Sequence, residues 1–284
     1  MTTALCFISI ASMVTQNCMF NNLCKKELHT KEHTYLFNTA TYLFCIVLFG
    51  LFLFRETLSL YTAGLGLLFG VVTAMSNFYK MRSLSSGPMH ITLLITTSSM
   101  MIPTLSGLFF GERFRLYQLL LMFALIGFIY LSLEKGEATK KVNRKWLLYC
   151  LLAFLCQGSI GVMQKVHQSS PYKAESNGFL FVAFLCSFVY SGIRAKKVMT
   201  KGCFTKKHWC YAIVCGLCTY GMNFLNLRLS GLLPSQLFFP LINGSAIVIS
   251  SLCSVLLFHE TLSKKQQIGL WGGIICLILI CMVP

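Results

Sequence analysis

The feature that most constrains this chain is a series of ten apolar runs, each close to a bilayer crossing in length. They lie near Ala4–Phe20, Tyr35–Phe54, Tyr61–Tyr79, Met89–Phe110, Leu116–Leu133, Trp146–Met163, Ser176–Ile193, Trp209–Leu227, Ser235–Phe258 and Gln267–Val283. About 20 mostly apolar residues carry an α-helix across the hydrocarbon core. Backbone N–H and C=O groups find no water there, so a spanning segment must be a helix or part of a closed barrel. The runs are continuous rather than alternating, which selects helices. The expectation is an all-α membrane protein with ten transmembrane helices. The first run has no basic stretch ahead of it and no small-residue cleavage site, so it reads as a retained span rather than a signal peptide.

Charge supports this reading. Only 11% of the residues are charged, against roughly 25% in a soluble globular protein. All eight acidic residues are Glu. The net charge of +16 would suit nucleic acid, but the basic residues form short clusters between apolar runs. Arg194, Lys196, Lys197, Lys201, Lys206 and Lys207 are one such cluster. That pattern belongs to loops facing anionic lipid, so the expected partner is the lipid bilayer and not nucleic acid. Of the fourteen cysteines, most lie inside apolar runs, among them Cys45, Cys150, Cys253 and Cys276. There a thiol behaves as a small hydrophobe. Cys215-Gly-Leu-Cys218 has redox spacing but lies mid-span without a second pair, so helix packing is its reading. No metal and no cofactor is expected. The chain has no His-Glu-x2-His, no Gly-x-Ser-x-Gly and no P-loop. Neither hydrolysis nor ATP-driven pumping has a basis in these residues, and a non-enzyme driven by a gradient or by exchange is expected.

The loops between odd- and even-numbered spans differ in charge. Odd-numbered loops carry eighteen Lys and Arg, even-numbered loops six, and the tails none. The positive-inside rule then puts the odd loops in the cytoplasm and both termini outside.

The chain also repeats. Asn77-Phe78-x3-Arg82-x5-Pro88 recurs 146 residues later as Asn223-Phe224-x3-Arg228-x5-Pro234, and Glu112-x5-Gln118 recurs 148 residues later as Glu260-x5-Gln266. Both pairs fall at the same place in span order. Two five-helix repeats, 1–138 and 139–284, are the simplest account. Five is odd, so the two would be inverted relative to each other, as in secondary transporters whose site lies between repeats near the midplane.

On these residues the chain resembles the drug/metabolite transporter superfamily, in particular its EamA-type ten-helix transporters. His259-Glu260-x5-Gln266-x2-Gly269 and the glycines Gly269, Gly272 and Gly273 of the last span carry the closest likeness. The first half keeps Gly111-Glu112-x5-Gln118 but has Leu121 where the glycine would fall. The resemblance implies a carrier of small metabolites in the plasma (inner) membrane, often an exporter. It implies a central cavity lined by spans one to four and six to nine, with spans five and ten peripheral. It also implies cytoplasmic termini, opposite to the loop charges.

Polar groups in hydrocarbon are costly and should face a cavity or another helix. The expected substrate-binding set is Gln16, Asn17, Asn77, His90, Gln157, Gln164, Lys165, Asn223, Gln236 and Asn243. Asn77 and Asn223 lead it as a repeat-related pair, against the alternative that each amide bonds a neighbouring helix. His90 would relay protons or pack. Lys165 would meet a substrate carboxylate or snorkel to the interface. Arg82 and Arg228 read as anchors at the cavity mouths. Glu112 and Glu260 read as structural, accepting from free N–H groups at the start of the following helix. Pro103 and Pro240 should kink spans four and nine. The last span's glycines leave within-chain packing and a homodimer contact both open. The function expected is a secondary transporter, exporter or exchanger, of small polar metabolites such as amino acids, working by alternating access. The alternative is a lipid-carrier flippase or a non-transporting membrane assembly subunit.

Overall fold

The computed structural model describes residues 2–26, 31–53, 58–86, 92, 95–96, 98–112, 116–132, 144–196, 205–246, 248–249 and 263–282. His90, Thr97, Cys253 and Glu260 lie outside them. Among the described residues ten α-helices follow in order: α1 (Thr2–Lys26), α2 (Lys31–Leu53), α3 (Leu60–Ser86), α4 (Met101–Ser106), α5 (Leu116–Ser132), α6 (Arg144–Gln168), α7 (Ser176–Ala195), α8 (Lys206–Leu232), α9 (Ser235–Phe239) and α10 (Lys264–Met282). A 3₁₀ turn, Gly107–Phe110, continues α4, and a π-helical turn, Pro240–Gly244, continues α9. No strand occurs among the described residues. Among the described residues six helices, α1, α2, α3, α6, α7 and α8, are long and apolar enough to cross a membrane. The outer surface is apolar, with Phe7, Leu51, Leu60, Phe109, Leu155 and Trp271 exposed. A surface of that kind suits lipid, not water.

Local chemistry sets several helix starts. Ser59 precedes α3, and its Oγ accepts from the N–H of Thr62 at 3.2 Å. Thr205 opens α8 with a reciprocal cap, accepting from His208 N–H while its own N–H donates to the His208 ring. Pro234 lies between α8 and α9.

The strongest pairings cross between the two halves of the chain. They are α2 with α7, α3 with α6, α3 with α7, α1 with α8, α2 with α8, and α5 with α10. Exchanging each helix for the one five places on leaves this set unchanged. The α1–α3 and α2–α3 contacts within the first half likewise have α6–α8 and α7–α8 as counterparts. Helices α3 and α8 each have 27 residues, and both their ends differ by the 146 residues that separate the two Asn-Phe motifs.

The two prolines act as their chemistry requires. Pro103 offers no N–H to the Ser99 carbonyl, and a turn at Ser99–Met100 interrupts the helix just before α4. Pro240 cannot bond the Gln236 carbonyl, and the backbone widens there into the π turn. Sequence expected continuous kinked spans. The structure has a turn in the first case and a π-helical widening of a continuing helix in the second, and α4 packs against both α9 and α6.

Candidate functional site

A cavity of about 90 Å³ lies where the two halves meet. Its lining comes from α1, α3, α6, α8 and the two irregular segments: Ser99, Met100 and Pro103 at α4, and Phe238, Phe239, Ile242 and Asn243 at α9. Irregular backbone at membrane depth is tolerated where it lines a cavity or is covered by protein. Among the described residues none of α5 or α10 lines the cavity, and none of α2 or α7 either. Those two helices are committed to each other and to α3 and α8.

Seven carboxamides line the cavity: Gln16, Asn77, Gln157, Gln164, Asn223, Asn226 and Asn243. Six of them are in the expected set, and the fold brings those six together. Their hydrogen bonds tie the wall to itself. Gln16 Nε2 donates to Thr219 Oγ1 at 2.6 Å, and that hydroxyl donates on to the Cys215 carbonyl at 2.7 Å. Asn77 Nδ2 donates to the Tyr42 hydroxyl at 2.8 Å, and Asn223 Nδ2 to the Thr219 carbonyl of its own helix at 2.8 Å. Ser76 Oγ donates to Gln157 Oε1 at 3.4 Å, and Asn243 Nδ2 to the Phe239 carbonyl at 3.0 Å. The paired asparagines thus spend their amide N–H groups on the scaffold. No protein donor among the described residues reaches either amide oxygen.

The remaining expected residues sit elsewhere. Asn17 stands behind the wall, where its Oδ1 accepts from Lys80 Nζ at 3.0 Å. Gln236 is buried at the start of α9 outside the lining. Lys165 is neither in the cavity nor at a lipid interface. It is buried in an ion pair with Glu112, Nζ to Oε1 at 2.6 Å. The same ammonium donates to the carbonyls of Ser230 at 3.0 Å and Leu233 at 3.4 Å.

Glu112 caps a helix start in the other half of the chain; residues 113–115, ahead of the helix it was expected to cap, lie outside the described ones. Its carboxylate accepts from Ser235 N–H at 2.8 Å and Ser235 Oγ at 3.1 Å, at the start of α9 in the other half. Two glycines make this possible. Gly111 takes φ +74°, a left-handed conformation that turns the chain after the 3₁₀ segment. Gly107 leaves the space the carboxylate fills, since a Cβ there would come within 2.5 Å of Glu112 Oε2. A second acid acts likewise: Glu175 accepts from Ser59 N–H at 3.0 Å and Ser59 Oγ at 2.7 Å, in front of α3. Partial burial pushes the Glu175 carboxyl up, but the hydrogen bonds from Thr62 and Ser59 and the nearby His167 outweigh it and hold its pKa below the ordinary value. Both acids sit on the face formed by the even-numbered loops, and each joins one half to the other. Arg228 is exposed and lies over the Phe224 ring at 4.7 Å.

Lys80 is the residue that sequence reasoning missed. It was expected in a loop beyond a span ending at Tyr79, but α3 runs on to Ser86 and Lys80 lines the cavity. The signal was present in the repeat, because Lys80 aligns with Asn226 one turn beyond the paired asparagines.

Residues 144–282 match the EamA-like transporter family. No curated protein matches the chain. Among chains of known structure, 28 match. One, described only as the crystal structure of a protein, superposes with a TM-score of 0.72 over 99% of this chain and 96% of that chain, at 16% identity. A likeness at that identity shows the fold. Residues 144–282, just under half of the chain, are thus similar to the EamA-like transporter family, whose members are membrane transporters of the drug/metabolite type.

Proposed function

We propose that the protein is a secondary carrier of small polar metabolites such as amino acids, exporting or exchanging them across the plasma membrane by alternating access. The observation that carries this reading is the amide-lined cavity between the halves, walled in part by the irregular segments at α4 and α9. Neutral amides offer both donors and acceptors to a polar solute. At about 90 Å³ the cavity lies well below the roughly 300–1,000 Å³ of drug-sized pockets, which favours a small substrate. The exchange symmetry of the helix pairings and the common offset of α3 and α8 support two inverted five-helix repeats, 1–138 and 139–284. Rocking of one repeat against the other would then open the cavity to each side in turn.

The test is a thermal-shift screen of purified protein against amino acids, nucleosides, sugars and cationic drugs, followed by proteoliposome exchange. A solute that binds only the folded state raises its stability. Asn77→Ala and Asn223→Ala should each lower uptake of the stabilising solute by roughly threefold to tenfold, the worth of a typical hydrogen bond. Unchanged uptake in both would remove the pair from the site.

A second reading, a lipid-carrier flippase, has its own observation. An apolar crevice of about 630 Å³ lies between α1, α9 and α10, lined by Phe7, Ile10, Leu237, Leu241 and Ile274 among others. A specific lipid co-purifying with the protein, together with silence across the solute screen, would put that reading first.

A further inference from the structure

One hydrogen bond of the cavity wall is made on one side of the repeat and left unmade on the other. Thr73 and Thr219 extend the repeat, each four residues before a paired asparagine and at the same offset of 146. Gln16 and Gln164 correspond too, each two residues after a valine and 148 apart, the offset of the Glu motifs. All four line the cavity. On one side Gln16 Nε2 donates to Thr219 Oγ1 at 2.6 Å. On the other, Thr73 Oγ1 is buried without a hydrogen-bond partner. Gln164, as buried as Gln16, makes no hydrogen bond among the described residues. A second pair of bonds shows the cause. Ser9 Oγ donates to Asn226, so the repeat would set Gln157 against position 80. Gln157 instead accepts from Ser76, four residues earlier on α3. Four residues are about one helical turn, roughly 5.4 Å along the axis. Helix α6 thus sits on α3 about one turn out of the register that α1 keeps on α8.

From this asymmetry we infer that α6 slides by about one turn along α3 during transport, so that Gln164 reaches Thr73 while Gln16 releases Thr219. The inference rests on the carrier reading above. A buried hydroxyl without a partner is costly, and a second state that satisfies it accounts for its presence. Packed elements move between discrete arrangements, and a shift of one turn is one such step. In inverted repeats the two halves move against each other, so a register seen on one side is available to the other. Lys165 follows Gln164 on α6. The slide must therefore draw it from Glu112 and from the Ser230 and Leu233 carbonyls, which opens the even-loop face. Helix α6 is smooth where α4 crosses it, since Gly158 and Gly161 lie against Ile102 and Pro103.

The test follows that face through Ser230→Cys, at a buried position, labelled with a water-soluble maleimide in the purified protein and read at that peptide by mass spectrometry. Thr219→Val removes the bond made in this state and should speed labelling by roughly threefold to tenfold. Thr73→Val removes the bond of the other state. It should slow labelling, and solute exchange in proteoliposomes, by roughly the same factor, while unliganded melting stays level or rises. Thr219→Ser keeps the hydroxyl and should label like the parent. Opposite shifts from the two valines support the slide. Shifts in the same direction, or none while solute exchange proceeds, overturn it and leave the carrier reading standing. A lower melting temperature for Thr73→Val also overturns it, because the hydroxyl would then be bonded in this state. If no solute is exchanged and no variant alters labelling, both readings fail. Should Thr219→Val melt before it can be labelled, Thr73→Val decides alone.

Discussion

A single carboxylate decides how the even-loop face is closed. Glu112 joins a lysine of α6 to the first N–H groups of α9, and the pair is largely shielded from water, with side chains 15% and 9% exposed. Removing one partner of such a pair leaves a buried charge and typically costs about 3–5 kcal/mol. Glu112→Gln should therefore lower stability by about that amount, read as an early thermal transition in detergent. Replacing both partners, Glu112→Gln with Lys165→Met, should recover about half of the loss or more, because no charge is then left behind. A double variant no better than the single one would show that the pair itself is not what Glu112 contributes. Glu175 offers a pH test of the same kind. Its folded pKa lies below the ordinary carboxylate value, so its contribution is complete above the unfolded pKa and fades as pH falls through the folded one. Melting temperature should drop on acidification below the ordinary Glu range, and Glu175→Gln should flatten that drop. At this scale the sequence was partly legible. Amides inside apolar runs announced themselves by their cost, but the partner of Lys165 lies 53 positions away in the chain, and no local pattern pointed to it.

Among the elements, α4 and α9 matter most because both depart from regular α-helix beside the cavity. Residues of each irregular segment line it, and the two segments also pack on each other. Their approach depends on Gly107, where a Cβ would meet both Glu112 Oε2 at 2.5 Å and Ser235 Cβ at 3.1 Å. Gly107→Ala should push α4 from α9, costing about 1–3 kcal/mol from overpacking. It should also raise accessibility of a cysteine placed at Ser235 to a water-soluble maleimide. Unaltered labelling would mean that the helices accommodate the methyl elsewhere. Pro103 and Pro240 gave the positions of these irregularities in the sequence, since a missing N–H is visible in one letter. What replaced the regular helix, a turn in one case and a π turn in the other, depends on neighbours in the fold. The length of α3 was misjudged for a related reason. Lys80 looks like the end of a span when only lipid is considered, yet a helix can continue wherever a cavity or another helix takes its polar groups.

For the whole molecule, span number and helical class were legible because bilayer thickness imposes them on every run. The partnership of helices was not. Loop charge still favours termini outside, even with Lys80 and Lys165 drawn into the fold. A tag following Pro284 should accordingly react with an impermeant reagent in intact cells. Reaction only after permeabilisation would put the termini inside, as the family resemblance implies.

Nearly every strong helix contact joins one half to the other, and this has a consequence for biosynthesis. When α5 has left the ribosome, α1, α2 and α3 still lack the helices they will pack against, and Glu112 lacks both Lys165 and the α9 start. The nascent half then has only the weaker α1–α3 and α2–α3 contacts to hold it, its polar residues exposed to whatever else passes through the same membrane. Most of the packing awaits α6, α7 and α8. A membrane insertase or chaperone that shelters the first five helices during that interval would govern yield more than any single packing contact in the finished protein.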